Sequence, residues 1–152
     1  MSREAPFGAA SAASVQRCAR CAHEWPFTLT ASACPSCEGL LEVVHPQPSP
    51  HGAALLSRFG GRCCTHHGSE ASGVWRFREL VMPGDGAIVS HPEGNTPLME
   101  RPAIARYAGV EGLRLKHEGR NPTGSFKDRG MTVAVTHAVR TGATAVACAS
   151  TG

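Results

Sequence analysis

Asn121-Pro122-Thr123-Gly124-Ser125-Phe126-Lys127-Asp128-Arg129-Gly130 is the stretch on which the reading of this chain turns. Pro122 and Gly124 mark a tight turn, and Thr123 or Ser125 can cap a helix that begins at once. That places Lys127 in the first helical turn, where the positive end of the helix macrodipole opposes a charged ammonium and favours the neutral amine. A neutral amine attacks aldehydes, so the loop is a candidate for holding a carbonyl cofactor. An isolated lysine at a helix start is ordinarily a solvated charge; the surrounding sequence reverses that reading.

On either side of the loop the pattern is that of a βαβ unit. Leu113–His117 reads as a strand, and 125–140 as a helix with Phe126, Gly130, Val133, Ala134 and His137 along one face and Thr141-Gly142 as its stop. Thr144–Ala149 is a short apolar run suited to a buried parallel strand. Crossovers of this kind are right-handed, and ligands bind outside the carboxyl ends of their strands, where the Lys127 loop falls. The expected fold class is therefore α/β with a parallel sheet. Further upstream the sequence predicts a helical or irregular lead-in over 72–81, a turn at Pro83–Gly86, a brief strand over Ala87–Ser90 and a loop over Glu93–Leu98. A short helix then spans Pro102–Ala108 and ends at Gly109.

The segment 121–130 resembles the lysine segment of fold type II, tryptophan-synthase-β-like pyridoxal-phosphate enzymes, and within them that of the threonine synthases. Glu93-Gly94-Asn95-Thr96-Pro97-Leu98 resembles their upstream loop, Leu113–Gly119 the strand that delivers the lysine, and Trp75–Leu80 their lead-in. Asn-Pro-Thr-Gly combined with the phenylalanine before the lysine is closest to threonine synthase. Cysteine synthases resemble Gly-Ser-Val-Lys or Gly-Ser-Ile-Lys, and dehydratases usually lack the Asn-Pro-Thr-Gly. Arg120 departs from the family's more usual apolar residue.

The resemblance implies a lyase of threonine biosynthesis that converts O-phospho-L-homoserine and water to L-threonine and phosphate. Pyridoxal 5'-phosphate would be bound covalently at Lys127, which also moves protons as a base. Asn121, Thr123, Gly124, Ser125, Ser150, Thr151 and Gly152 would surround the cofactor, with Asn95 and Thr96 on the substrate side. Ser150-Thr151-Gly152 resembles the start of the family's Ser-Thr-Gly-Asn loop. The chain is thus expected to be an N-terminal fragment of a fold two to three times longer, inactive by itself. A dehydratase or a cysteine-synthase-like β-replacement enzyme is the alternative within the class; an interaction module with a degenerate enzyme-like tail is the alternative outside it.

That module would be the N-terminal part. Cys18-Ala-Arg-Cys21 and Cys34-Pro-Ser-Cys37 are two CxxC pairs with twelve residues between them. Two such turns on a hairpin supply four sulfurs for a tetrahedral zinc, with Gly39 suiting the turn after the second pair. Two disulfides and a redox CxxC are the competing readings. So small a module has little core without a metal. Cys63-Cys64-Thr65-His66-His67 lies in glycine-rich sequence and reads as linker rather than as a second metal site, and Cys148 reads as a small buried residue within its strand.

Four regions follow: a flexible N-terminus over 1–17, a zinc-ribbon-like module over 18–45, a linker over 46–72 and the enzyme-like region over 73–152. The composition, 41% hydrophobic and 18% charged, is that of a globular chain. A net charge of +3 with two lysines gives no basic patch for nucleic acid. Neither a signal-peptide core nor a membrane span appears, so the expected location is cytoplasmic, where cysteines favour metal or free thiol over disulfide.

Overall fold

The computed structural model describes residues 13–63, 65, 67 and 68–149. Val15–Cys18 (β1) is the centre of a three-stranded antiparallel sheet, flanked by Glu24–Pro26 (β2) and Leu41–Val44 (β3). Gln16 faces Trp25 on one side and Val43 on the other, and Cys18 faces Leu41. Gln16 is buried, and its amide nitrogen donates to the carbonyls of Phe27 (3.0 Å) and Leu29 (2.6 Å). One polar side chain thus supplies the donors that this irregular loop lacks.

Residues 46–72 are not a bare linker. Gly52–Arg62 forms a helix (α1) that buries Leu55, Phe59 and Arg62, one face at helical spacing. Phe59 meets Phe77 edge-on at 4.9 Å. Arg62 clamps Glu79 with two hydrogen bonds of 2.7 and 2.8 Å and donates to the Arg76 carbonyl. The glycines and prolines around it conceal this stripe in the sequence. The lead-in is a 3-10 turn at Trp75–Phe77 followed by the short helix Arg78–Val81 (α2).

Leu98–Glu100 (β4) and Arg114–Lys116 (β5) pair antiparallel, Met99 opposite Leu115. Between them Pro102–Ala108 (α3) forms over the expected residues. It ends at Gly109 in the left-handed region (φ 66°), and Val110 N–H closes a six-to-one bond on Ala105. Asp128–Arg140 (α4) follows, with Lys127 at its N-cap, one residue before the helix rather than in its first turn.

Further expectations change. Ala87–Ser90 makes no strand, because its backbone is held by a helix instead: Thr136 Oγ1 accepts from Val89 N–H (2.9 Å) and Thr132 Oγ1 donates to Val89 C=O (2.6 Å). These two threonines, four residues apart, are the fully buried face of α4. Phe126 is 64% exposed, while Val133, Ala134 and His137 turn toward the N-terminal sheet, where His137 meets Phe27 at 4.6 Å. Residues 144–149 are exposed and in no ladder, and Cys148 is exposed rather than buried. Both sheets among the described residues are antiparallel, so the parallel pairing of Leu113–His117 with Thr144–Ala149 does not occur among them.

Candidate active site and thiol cluster

Lys127 lines a cavity of about 260 Å³ with Thr123, Ser125, Asp128, Met131, Cys148 and Ala149. The loop before it is fixed by its own side chains. Gly124 takes φ +77°, a conformation glycine adopts without strain, and its N–H closes the turn on Asn121 C=O at 2.8 Å. Ser125 Oγ accepts from Lys127 N–H at 3.2 Å, a cap-like bond at the helix start. Asp128 holds Thr123 through two bonds, from N–H (2.9 Å) and from the hydroxyl (2.5 Å), and does not pair with Arg129.

Arg129 points instead to Glu118, with Nε to Oε2 at 2.7 Å and Nη2 to Oε1 at 2.9 Å. Thr96 Oγ1 donates to Glu118 Oε1 at 2.6 Å, and Asn121 Nδ2 donates to Glu118 Oε2 at 3.1 Å. Asn121 Oδ1 in turn accepts Gly94 N–H at 2.9 Å. The Arg129 guanidinium, with Thr96 and Asn121 adding to it, holds the Glu118 carboxyl down to about 2. Asn121 and Thr96 are thus buried structural partners in this arrangement. Asn95 sits at φ +48° with its amide donating to Ala71 C=O at 2.9 Å.

Behind this loop lies a fully buried carboxylate, Glu93. Burial works against its ionisation. The Ser72 hydroxyl, the His91 N–H (2.9 Å) and the Ser90 hydroxyl outweigh that and hold the carboxyl below its usual range. Gly73 crosses Gly94-Asn95 so closely that a Cβ on it would lie 2.0 Å from Asn95 N. Trp75, fully buried, donates its indole N–H to Thr132 at 2.8 Å and so ties the lead-in to α4. Sequence reasoning passed over Glu118, Arg129, Glu93 and the threonine pair. Of these only the Thr132/Thr136 spacing carried a periodic signal.

The sulfurs of Cys18, Cys21, Cys34 and Cys37 all lie within 4.8 Å of one another, Cys18 to Cys37 at 3.4 Å and Cys21 to Cys34 at 3.8 Å. A tetrahedral zinc with Zn–S near 2.3 Å spaces its sulfurs about 3.8 Å apart, so the donor set fits that ion. Ala22 (φ 57°) and Glu38 (φ 58°) take left-handed turns after each pair. Gly39 is required by proximity, since a Cβ there would stand 2.8 Å from Cys18 Sγ and 3.3 Å from Cys37 Sγ. Burial resists ionisation of Cys34, yet N–H groups of Ser36 and Cys37 bring it down to about 6. Cys37, despite a backbone bond with Gly39, is pushed up to about 12, chiefly by Cys18. Four adjacent thiols cannot all ionise without a cation among them. Cys63 stands apart from this cluster, its sulfur 3.2 Å from Arg76 Nη1. Cys64, His66, Ser150, Thr151 and Gly152 lie outside the described residues.

Residues 89–152 match the family described as pyridoxal-phosphate dependent enzyme. Over 136 residues, 90% of this chain and 31% of the relative, the chain is 38% identical to the threonine synthase of Methanosarcina acetivorans. It is 38% identical over 139 residues, 91% of this chain and 32% of the relative, to that of Methanocaldococcus jannaschii. Over nine-tenths of its length the chain is similar to threonine synthases. A third relative, the threonine synthase of Mycobacterium tuberculosis, is 57% identical over 77 residues, half of this chain and 21% of its own length. Within 152 residues, a match of 136 takes in both the four clustered cysteines and the Lys127 loop, so the threonine-synthase-like region is not confined to the C-terminal half. The chain spans about a third of the length of these first two relatives.

Chemically, the described residues suit the aldehyde end of pyridoxal phosphate. They provide one amine, a serine hydroxyl beside it and a cavity of about 260 Å³, just below the roughly 300–1,000 Å³ range of ligand pockets. No helix is long and apolar enough to cross a membrane among the described residues.

Proposed function

We propose that the protein carrying this sequence is a threonine synthase, converting O-phospho-L-homoserine and water to L-threonine and phosphate in the cytoplasm. The observation that carries the reading is a match over nine-tenths of the chain whose Lys127 opens into a cavity bounded by Thr123 and Ser125. Pyridoxal phosphate, when bound, supplies the electron sink that makes the substrate α-proton removable. Lys127 would hold the cofactor through its amine and would serve as the base that moves that proton. Ser125 keeps a hydroxyl hydrogen to donate while its oxygen fixes the Lys127 amide. Gly124 lets the backbone turn toward the cavity and Asn121 holds the loop base; Ser150, Thr151 and Gly152, with Thr123, are further candidates for cofactor contact. Asn95 and Thr96 lie on the substrate side.

Four regions divide the chain, with the module taking in β1 from Val15 rather than beginning at Cys18, and with α1 belonging to the connection over 46–72. The module over 15–45 holds a structural zinc through Cys18, Cys21, Cys34 and Cys37; four thiolate ligands leave no position for substrate. Pairing of Thr144–Ala149 within a parallel sheet is the remaining part of the fold proposal. Incubation of the protein with O-phospho-L-homoserine tests the activity. Formation of threonine and inorganic phosphate in equal amounts, abolished by Lys127→Ala, is expected; pyruvate or 2-oxobutyrate from serine or threonine, with O-phospho-L-homoserine untouched, would replace this reading with a dehydratase.

A further inference from the structure

The geometry points to Glu118 as a positioning residue that locks the Lys127 helix to the Gly94–Thr96 loop, an inference resting on the proposal that Lys127 carries the cofactor. The three described segments that bear candidate site residues, 94–96, 121–125 and the start of α4, all close on this one carboxylate. Thr96 reaches Oε1 at 2.6 Å, Asn121 reaches Oε2 at 3.1 Å, and Arg129, two residues after Lys127, takes both oxygens at 2.7 and 2.9 Å. Four donors on two oxygens use the full acceptor capacity of a carboxylate.

The clamp extends on both sides. Asn121 passes it to the backbone by accepting Gly94 N–H at 2.9 Å and by donating to Glu118 C=O at 2.7 Å. Arg129 adds a second bond to Thr96 Oγ1 at 3.1 Å. Gly94 permits the approach, since a Cβ there would lie 3.0 Å from Arg129 Nη1. A bidentate guanidinium–carboxylate pair fixes direction as well as distance. Moving Glu118 therefore shifts Arg129, and with it the start of α4 that sets where the Lys127 amine enters the cavity. Displacements on the order of 1 Å at a reacting group cost about 100-fold in rate.

Glu118→Gln presents an amide N–H₂ where two donors already point, so it disrupts the clamp although its shape is kept. Glu118→Ala removes it. Two measurements separate the clamp from the function. In cofactor-free protein, amide exchange at Gly94 and at Lys127 should accelerate together, about tenfold, in both variants, while Val89 and the middle of α4 keep their protection. In protein loaded with pyridoxal phosphate, kcat for threonine formation should fall about 10–100-fold with KM changed less than threefold, and the visible circular dichroism of the bound cofactor should shrink. Glu118→Ala/Arg129→Ala should be no worse than Glu118→Ala alone. Exchange confined to residues near 118, or a loaded variant with unchanged cofactor dichroism and unchanged kcat per folded molecule, would overturn the inference. If wild-type protein takes no cofactor at Lys127, the proposed function fails, and the coupled exchange of Gly94 and Lys127 alone decides whether Glu118 joins the two segments.

Discussion

Replacing Gly73 by alanine perturbs the closest backbone crossing beside the site. The new Cβ would stand 2.0 Å from Asn95 N, 2.7 Å from Gly94 C and 2.9 Å from Asn95 Oδ1. The first two neighbours are backbone and cannot rotate away. Bringing the nearest contact to the ordinary 3.4 Å requires the two segments to part by 1.4 Å. The Gly73 N–H bond to Glu93 C=O, 2.7 Å long, would open beyond hydrogen-bonding range under that displacement. A lost buried bond costs about 1 kcal/mol and the forced repacking about 1–3 kcal/mol, giving a destabilisation of about 2–4 kcal/mol. Urea unfolding followed by far-ultraviolet circular dichroism measures this directly. Gly60→Ala is the control: Gly60 lies inside α1 with nothing near its Cβ direction. It should stabilise by about 0.5–1 kcal/mol through helix propensity alone. A Gly73→Ala protein within 0.5 kcal/mol of wild type would refute the crossing geometry.

Thr132→Val removes the hydroxyl that accepts from the buried Trp75 indole and donates to Val89 C=O; the indole loses this partner, while the Val89 carbonyl keeps a 3.3 Å bond from Thr136. It should cost about 1–3 kcal/mol in the same unfolding assay, the cost of one buried donor left unpaired; a variant as stable as wild type would contradict the Trp75–Thr132 bond. The Arg62 guanidinium holds the Glu79 carboxyl down from 4.5 to about 2. The folded pKa is depressed, so its contribution is present above about pH 4.5 and is lost as pH falls toward 2. Glu79→Gln should lower stability at pH 7 and flatten the pH dependence across that window, whereas an unchanged acid limb would contradict the pair. Purified protein should contain one zinc per chain by elemental analysis. Cys18→Ser should lose it, and Gly39→Ala should weaken it by placing a methyl 2.8 Å from Cys18 Sγ; iron in place of zinc, or full metal content in Cys18→Ser, would refute the proposed zinc site.

What the sequence made legible depended on whether local chemistry fixed the outcome. Pro102 to Gly109 is such a case: proline at the helix start and glycine in the left-handed region set both ends of α3 without help from distant residues. The four cysteines are another, because two CxxC turns converge wherever a short hairpin joins them. A helix does follow the Lys127 loop, yet it begins at Asp128, three residues after the expected start at 125, and Ser125 bonds the Lys127 amide ahead of it. Long-range partners were the illegible part. Nothing near Ala87–Ser90 shows that two threonines more than forty residues away will take its backbone bonds in place of a strand. Glu118 and Arg129 read as ordinary charges until the fold brings Thr96 and Asn121 to the same carboxylate. Helix α1 was hidden for a different reason: a stripe of only Leu55, Phe59 and Arg62 is buried, and Gly60-Gly61 within it imitates a linker.

Borohydride reduction of the protein after incubation with pyridoxal phosphate, followed by peptide mapping, tests the central claim most directly. The sequence contains two lysines, Lys116 on β5 and Lys127 at the helix start. Lys127 lines the cavity with Thr123 and Ser125, and Lys116 is not among the residues that line it. Within these residues the cofactor label is predicted on Lys127, with none on Lys116 and none after Lys127→Ala. Label on Lys116, or none on Lys127, would contradict the assignment of Lys127 as the cofactor lysine.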